Sequence, residues 1–178
     1  ICVGTPANKN GSTNFNQINS FLKILKKKTD KEKKILIVIK STVPPGSTLS
    51  FKKMLANYPN IKFVSNPEFL REGHAWNDFF NSGKIIIGTQ DNESRMIMKK
   101  IYLKLNDKII FMSENSAEFS KYLSNLFLSN LISFSNTMMI FAEKFGGIDV
   151  KKSFSSLKMD NRFKGKSPKI TEYIHPGL

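Results

Sequence analysis

Two glutamates stand four residues apart in residues 65–73, a segment that reads SNPEFLREG. Pro67 suits the first turn of a helix, and a short helix there would place Glu68 and Glu72 on one face. Such a carboxylate pair could supply a general base and a ligand contact. The alternative is that both glutamates stabilise the dipole at a helix N-terminus. The residue types alone leave both interpretations open.

A lysine and an asparagine interrupt an apolar stretch in residues 116–125, which read SAEFSKYLSN. Lys121 and Asn125 are also four residues apart, so one helix face would carry both side chains. The ammonium group of a lysine that faces a cleft can stabilise an oxyanion. The alternative is that Lys121 lies along the apolar surface and extends its charge into solvent.

Two loops rich in hydroxyl groups and prolines are further candidates: VGTPAN at residues 3–8 and STVPPGST at residues 41–48. The backbone amides of the first loop and Thr5 could contact a cofactor, although an ordinary turn between a strand and a helix has the same composition. The second loop precedes a predicted helix, whose free N–H groups could bind an anion. Alternatively, Ser47 or Thr48 caps that helix.

Strand-like and helix-like segments alternate through the first two thirds of the chain. Apolar β-branched runs predict strands at residues 1–3, 35–39, 61–64, 84–87 and 109–112, and helical spacing predicts helices at 14–28, 49–57 and 93–105. This order predicts an α/β fold, a parallel sheet with helices on both faces. The loops after the first three strands would lie at one edge of the sheet, where ligands bind in such folds. Cys2 would be a buried apolar residue of the first strand.

A different pattern begins after Met112. Residues 116–145 predict one long helix, and a further helix is predicted at residues 149–159. The long helix is apolar on most faces, so we expect it to be buried, for instance in a subunit interface. These features predict two domains, residues 1–114 and residues 115–178.

The composition excludes several classes of protein. The formal net charge is +14, but only three of the 28 basic residues are arginine and the lysines are scattered, so no nucleic-acid partner is expected. Residues 122–142 lack charge but are rich in Ser, Asn and Thr, which argues against a membrane span. A single cysteine excludes an internal disulfide and favours a reducing, cytoplasmic compartment.

The four candidate segments, in this order and spacing, resemble the UDP-glucose/GDP-mannose dehydrogenase family over nearly the whole chain. The resemblance rests on a Thr-Pro loop, an STVP loop, NPEFLREG, and AE, SK and SN at the start of a long helix. It implies the C-terminal part of a Rossmann-like NAD-binding domain, followed by an all-α central domain that forms a homodimer through helix 116–145. It implies NAD as cofactor, no metal, and UDP-glucose as substrate, with GDP-mannose or a UDP-N-acetyl sugar as alternatives.

Members of that family oxidise C6 of a nucleotide sugar twice and pass two hydrides to NAD, by way of a cysteine thiohemiacetal and a thioester. By resemblance, Glu68 would be the acid/base that activates water for thioester hydrolysis, and Lys121 would stabilise the oxyanion. Asn125 would hold the reacting oxygen. Thr42 and Glu72 would contact NAD or an ordered water beside it.

The resemblance also implies two sets of binding residues. The cofactor site would be lined by Val3, Thr5, Pro6, Ser41, Thr42, Val43 and Glu72. The nucleotide sugar would meet the backbone of Phe69 and Leu70 and the side chains of Glu68, Lys121 and Asn125. Arg162 would also reach the substrate, either within one chain or across the dimer.

Two parts of the family pattern are missing from these 178 residues. The glycine-rich phosphate loop, G-x-G-x-x-G, would precede residue 1, and the G-G-x-C-x-x-x-D segment with the nucleophilic cysteine would follow residue 178. Cys2 lies in the wrong segment to replace that cysteine, and residues 163–178 also depart from the family spacing. We therefore expect the isolated chain not to oxidise a sugar. A non-catalytic dimerisation module is the alternative function.

Overall fold

The computed structural model describes residues 1–105 and 109–161. The elements, in chain order, are α1 (Asn16–Lys28), β1 (Ile35–Ile39), α2 (Ser47–Met54), β2 (Ile61–Ser65), α3 (Ala75–Phe80), β3 (Ile85–Gly88), α4 (Asn92–Tyr102), β4 (Ile109–Met112), α5 (Glu114–Phe145) and α6 (Val150–Met159). The chain divides within α5 into two compact units, residues 1–126 and residues 127–178.

A four-stranded sheet of order β1-β2-β3-β4 forms the centre of the first unit. β1 pairs with β2 in parallel, from Ile35 with Ile61 to Ile39 with Ser65, and β3 pairs with β4 in parallel. β2 and β3 run antiparallel and are paired at Ser65 and Gly88. The predicted α/β architecture is confirmed, with the correction that the sheet is mixed rather than wholly parallel.

The chain reverses between β2 and β3 because this connection holds no helix that could cover a sheet face. α3 has only six residues, none of them buried, whereas a parallel connection needs a crossover packed on the sheet. As a result, the first residues of β3 lie beside the segment that follows β2. The Asn66 side-chain amide donates to the Ile86 carbonyl there at 2.8 Å.

Side chains of β1 alternate between the two faces of the sheet. Ile37 and Ile39 pack into a cluster with residues of α1 and α2, whereas Leu36 and Val38 pack against a second cluster that includes Met98 of α4. Burial on both faces explains the continuous apolar run ILIVI. Each fully buried aliphatic side chain contributes about 1.5–3 kcal/mol, so β1 anchors the loops at its ends.

The segment 1–3 does not form the predicted buried strand. The Ile1 amino group and carbonyl bond to Val38 O at 2.6 Å and Lys40 N at 2.9 Å, but the Val3 N–H donates to the Ser41 hydroxyl at 2.8 Å instead of a backbone carbonyl. The backbone ladder therefore stops. Ile1 and Val3 pack against the core, so alternation turns Cys2 outward, and the prediction that Cys2 is buried is wrong.

Helix α5 approaches the sheet closely at Gly88. A Cβ atom added there would lie 2.6 Å from Ala117 Cβ and 2.9 Å from Glu114 Cα, distances that real side chains do not adopt. Ala117 itself is fully buried. The missing side chain at Gly88 thus allows the first turns of α5 to rest directly on β3.

The second unit contains the rest of α5 together with α6. Asp149 caps α6 by accepting the Lys152 N–H at 2.9 Å. Within this unit α5 leaves large apolar side chains exposed, including Ile132 at 62% and Phe145 at 70%. The burial of α5 in a subunit interface therefore stays a prediction, since these side chains are exposed in the single chain. None of the helices in residues 1–105 and 109–161 has the length and apolarity to span a bilayer.

Removal of the Asp91 side chain is expected to destabilise the first unit in a pH-dependent way. The carboxylate caps α4 through Ser94 N–H and Oγ, both at 2.7 Å, and pairs with Lys62. The Lys62 hydrogen bond, then Ser94, lower the pKa of Asp91 to about 2. A lowered carboxyl pKa stabilises the fold above the unfolded value of about 4, and this contribution is lost as the pH falls towards 2.

We expect Asp91→Ala to cost about 1 kcal/mol of unfolding free energy at neutral pH, since the pair is partly exposed and screened. The cost should shrink between pH ~4 and ~2. Urea unfolding over a pH series measures it. Glu93→Ala is the matched control, because it removes the other carboxylate beside Lys62, at 3.1 Å, and leaves the cap intact. Equal costs for the two variants would contradict the capping role.

Candidate active site

Glu68 lies just beyond the carboxyl end of β2. Its Oε2 accepts the Leu70 N–H at 2.6 Å, and its Oε1 lies 2.9 Å from Lys121 Nζ on α5. The Lys121 side chain is only 8% exposed, against 33% for Glu68. Lys121 therefore does not extend into solvent, and two residues that are distant in sequence form a largely shielded ion pair.

The predicted short helix around Glu68 is not formed. Residues 66–71 are irregular, and α3 begins only at Ala75. The Glu68 carboxylate binds an amide of its own segment, that of Leu70, and such local side-chain bonds compete with helix formation. Glu72 lies in the following turn with its side chain exposed, so it shares no helix face with Glu68.

An ion pair closes the loop that carries Glu68. The Arg71 guanidinium bonds to both oxygens of Asp78, at 2.7 and 2.9 Å, and the Arg71 N–H donates to the same carboxylate at 2.9 Å. The side-chain hydrogen bond from Arg71 is the largest influence that lowers the pKa of Asp78 to about 2. The bidentate pair thus ties Arg71, in the second half of this loop, to Asp78 of α3.

The charge state of Glu68 follows from its surroundings. Burial is the largest influence and alone would raise the pKa of the carboxyl. The Leu70 N–H, the bond to Lys121 and the charge of Lys40 together outweigh burial, so the pKa of Glu68 lies below its ordinary value. Glu68 is therefore ionised at neutral pH and able to accept a proton, with Lys121 beside it as a donor.

The ring of Phe69 is contacted by two ammonium groups. Lys84 Nζ lies 4.2 Å from the ring centroid and Lys121 Nζ 5.4 Å. Lys84 Nζ also lies 3.5 Å from Ser124 Oγ. Burial first, then the charge of Lys121, lower the pKa of Lys84. Two ammonium groups at the Phe69 ring, one of them paired with Glu68, suit an anionic or electron-rich ligand.

A buried polar network supports the site from within the sheet. Asn66 is 1% exposed, and its Oδ1 accepts from Tyr102 Oη and, at 3.2 Å, from Lys40 Nζ. The Asn66 N–H donates to Ile39 O at 2.8 Å. Satisfied buried networks of this kind rigidify their surroundings. The network around Asn66 holds the ends of β1 and β2, and hence the two loops that follow these strands, in fixed register.

The two predicted cofactor loops lie against each other. Ser41 Oγ accepts the Val3 N–H at 2.8 Å and donates to Val3 O at 2.7 Å, and Thr5 Oγ1 donates to Thr42 O at 2.6 Å. Ser41 therefore holds the loops together. Val43 is 3% exposed and belongs to the core. Thr5 and Thr42 remain half exposed at the edge of the sheet.

The N-terminus of α2 is occupied by a side chain that the sequence did not indicate. Glu118 of α5 accepts the Gly46 N–H at 2.6 Å and the Thr48 N–H at 2.7 Å. Gly46, at φ 93°, takes the N-cap position, so neither Ser47 nor Thr48 is the cap. Burial raises the pKa of Glu118, and the hydrogen bonds from α2 oppose that rise.

The remaining predicted residues lie at the margins of the site. Pro6 and Asn125 are exposed, and Leu70 is half-buried and bonded to Glu68 through its N–H. Asn125 follows Lys121 by four residues on α5, as predicted. Arg162 lies outside the described residues.

The sequence did not indicate the roles of several site residues, because their contacts are long-range. Glu118 is part of the SAEFSK motif, but its partners are some 70 residues away in the chain. Lys84 comes next to Phe69 because β3 runs antiparallel to β2. In the sequence, Asn66 is a polar residue before Pro67 and Tyr102 an aromatic residue of a predicted helix, and neither indicates a buried network.

Comparison with known proteins finds relatives of this chain in both sequence and fold. The UDP-glucose 6-dehydrogenase of Rickettsia bellii is 37% identical over 166 residues, 91% of this chain and 38% of that protein. A crystal structure of GDP-mannose dehydrogenase from Pseudomonas aeruginosa matches with a TM-score of 0.84 at 26% identity, over 100% of this chain and 42% of that one. UDP-glucose dehydrogenase from Pyrobaculum islandicum matches with a TM-score of 0.81 at 34% identity, over 91% and 38%.

The chain thus spans about two fifths of the length of these proteins. Its matches to family sequence models fall in two consecutive parts. Residues 1–106 match an NAD-binding domain and residues 115–178 match a central domain, both of the same family. Together with the α/β sheet and the long helix, these matches establish that the chain belongs to the UDP-glucose/GDP-mannose dehydrogenase family.

Proposed function

We propose that this chain forms the central part of an NAD-dependent dehydrogenase that oxidises C6 of UDP-glucose to UDP-glucuronate. The observation that supports this most strongly is the Glu68–Lys121 ion pair, 2.9 Å long and largely shielded. The pair lies at the edge of the sheet where β1 and β2 end and the loops that follow them begin. An ionised carboxylate can accept a proton from a water molecule, and an adjacent ammonium group can stabilise an oxyanion.

Glu68 and Lys121 take different roles in this proposal. Glu68, whose pKa is lowered, accepts a proton from the water that releases the uronate. Lys121 donates hydrogen bonds to the oxygen that gains negative charge, and its burial strengthens that interaction. Asn125, one turn later on α5, holds the same oxygen. The oxidation also requires a cysteine nucleophile, which would form the thioester, and Cys2 does not lie in the segment that carries it in the family.

NAD accepts the hydride when it is bound, and the residues at the sheet edge fit it. Thr5 and Thr42 would contact it with their half-exposed side chains, and the backbone of Val3 and Pro6 would line the site. Ser41 and Val43 would act by holding the loop, since their side chains are already engaged. The N-terminus of α2 is filled by Glu118, so a cofactor phosphate would not bind at that helix end. Glu72, exposed in its turn, would reach only the outer part of the cofactor.

The nucleotide sugar would bind on the other side of Glu68. The backbone of Phe69 and Leu70 would contact it, and the ammonium groups of Lys84 and Lys121 provide charge for an anionic substrate. We propose UDP-glucose as the substrate because the Rickettsia relative is a UDP-glucose 6-dehydrogenase. GDP-mannose and UDP-N-acetyl sugars are the alternatives, and Arg162 would contribute to the choice. We place the reaction in the cytoplasm.

Titration of the 178-residue chain with nucleotide sugars tests the substrate assignment. UDP-glucose should shift the backbone amide signals of Phe69 and Leu70 in nuclear magnetic resonance spectra at lower concentration than GDP-mannose or UDP-N-acetylglucosamine. A lower midpoint for GDP-mannose would transfer the assignment to that sugar. No shift at these two amides with any of the three would refute this sugar site.

We further propose that α5 forms a homodimer with a second copy, because its second-unit portion carries a series of large apolar side chains that are exposed in the single chain, and exposed apolar patches mark interaction sites. Ile132→Asp, at a side chain 62% exposed, should convert a dimer into a monomer in sedimentation equilibrium. Ile101→Asp on α4, at a side chain 57% exposed, is the matched control and should leave the dimer intact. A monomeric wild-type chain would contradict the proposal. A dimer that never binds NAD would instead favour a non-catalytic dimerisation module.

A further inference from the structure

Glu118 is the most deeply buried carboxylate among the described residues, at 2% exposure. Among those residues, Glu118 forms no ion pair with a lysine or an arginine. Its Oε2 accepts the Gly46 N–H at 2.6 Å and its Oε1 accepts the Thr48 N–H at 2.7 Å. A buried charge is costly unless it is paired, and the free amides at a helix N-terminus are a natural partner. The carboxylate thus bonds the start of α2 to α5.

The two elements joined by Glu118 carry the two halves of the site. Lys121 follows Glu118 by three residues on α5, so both side chains project from the same turn of the helix. Thr42 precedes α2 in the loop whose end is Gly46. Any movement of α5 along the sheet would therefore displace Lys121 and, at the same time, strain the hydrogen bonds from Gly46 and Thr48 to Glu118.

We propose that Glu118 is a positioning residue that holds the Thr42 loop in fixed register with Lys121. This inference rests on the proposed function, in which Thr42 contacts the cofactor and Lys121 the reacting oxygen. The two groups must hold their relative position closely, because a displacement of about 1 Å can cost about 100-fold in rate. A carboxylate suits the task since each of its two oxygens accepts one amide.

Glu118→Gln tests the proposal with minimal change in shape. The glutamine amide offers one acceptor oxygen to two N–H donors and turns its own NH₂ group towards the other. Glu114→Gln is the matched control: Glu114 is also a buried carboxylate of α5, at 8% exposure, one turn earlier. If Glu118→Gln does not fold, Glu118→Asp keeps the charge and shortens the side chain by one methylene.

Two readouts separate positioning from mere stability. The first readout is the nuclear magnetic resonance spectrum of the ligand-free 178-residue chain. Glu118→Gln should shift the backbone amide signals of Gly46, Thr48, Thr42 and Lys121, whereas Glu114→Gln should leave these four signals unchanged. In the complete dehydrogenase, Glu118→Gln should lower kcat/KM for NAD by about tenfold or more, mostly through kcat. If Thr42 and Lys121 do not move and kcat is retained while the melting temperature falls, Glu118 is only a cap and the proposal is wrong. If wild-type protein fails to use NAD, the proposed function fails, and the ligand-free spectra still decide the role of Glu118.

Discussion

Lys121→Met is expected to lower kcat of the complete dehydrogenase by about 10²–10³-fold, the usual loss when one donor to a developing oxyanion is removed. Methionine has a similar length and no charge, so the helix face stays filled. The Glu68 carboxylate would lose the partner 2.9 Å away and keep only the Leu70 N–H. KM for NAD should change little, because in the proposed arrangement Lys121 contacts the sugar and not the cofactor.

Lys99→Met is the matched control for this experiment. Lys99 Nζ lies 5.6 Å from the ring centroid of Phe111, much as Lys121 Nζ lies 5.4 Å from that of Phe69. The control thus removes a lysine beside an aromatic ring without touching Glu68, and kcat should stay within twofold of wild type. Comparable losses in both variants would mean that Lys121 has no special role. Steady-state kinetics with each substrate varied measures both constants.

Gly88→Ala is expected to cost about 1–3 kcal/mol of unfolding free energy, the range found for overpacked sites. The new methyl group would lie 2.6 Å from Ala117 Cβ and 2.9 Å from Glu114 Cα, and backbone atoms cannot rotate away. α5 would have to lift from β3, which displaces Glu118 and Lys121 as well. The substitution should therefore impair the active site in addition to the fold.

Gly83→Ala controls for the general effect of replacing glycine. An added Cβ at Gly83 meets no atom within 4 Å, and its φ is not in the left-handed region. Its unfolding free energy, measured in urea, should lie within about 0.5 kcal/mol of wild type. If Gly88→Ala is tolerated equally well, α5 does not rest on β3 as described.

The sequence predicted the elements well where periodicity is strong and local. β4 covers residues 109–112 as expected, and the limits of α1 and α4 differ from the predicted ones by at most three residues. The continuous run ILIVI identified a strand buried between two layers. The loops of residues 3–8 and 41–48 come together because segment 1–3 lies beside the end of β1, where Ile1 bonds to Val38 and Lys40.

The sequence misled where one long-range contact decides the local structure. Glu68 was expected on a helix, but bonds from its own side chain and from Asp78 use the amides that a helix needs. The N-terminus of α2 suggested an anion-binding site, yet Glu118 of the same chain fills it. Helix spacing placed Lys121 and Asn125 correctly on one face, but only the fold pairs Lys121 with Glu68.

Formation of NADH from UDP-glucose tests the central claim most directly. The assay compares the 178-residue chain alone with the same chain joined to the segments that flank it in the family pattern. We predict two NADH per UDP-glucose from the complete protein, loss of sustained turnover in its Glu68→Gln variant, and none from the 178 residues alone. Sustained turnover by the 178-residue chain, or full turnover by the Glu68→Gln variant, would contradict the roles assigned to the missing cysteine and to Glu68.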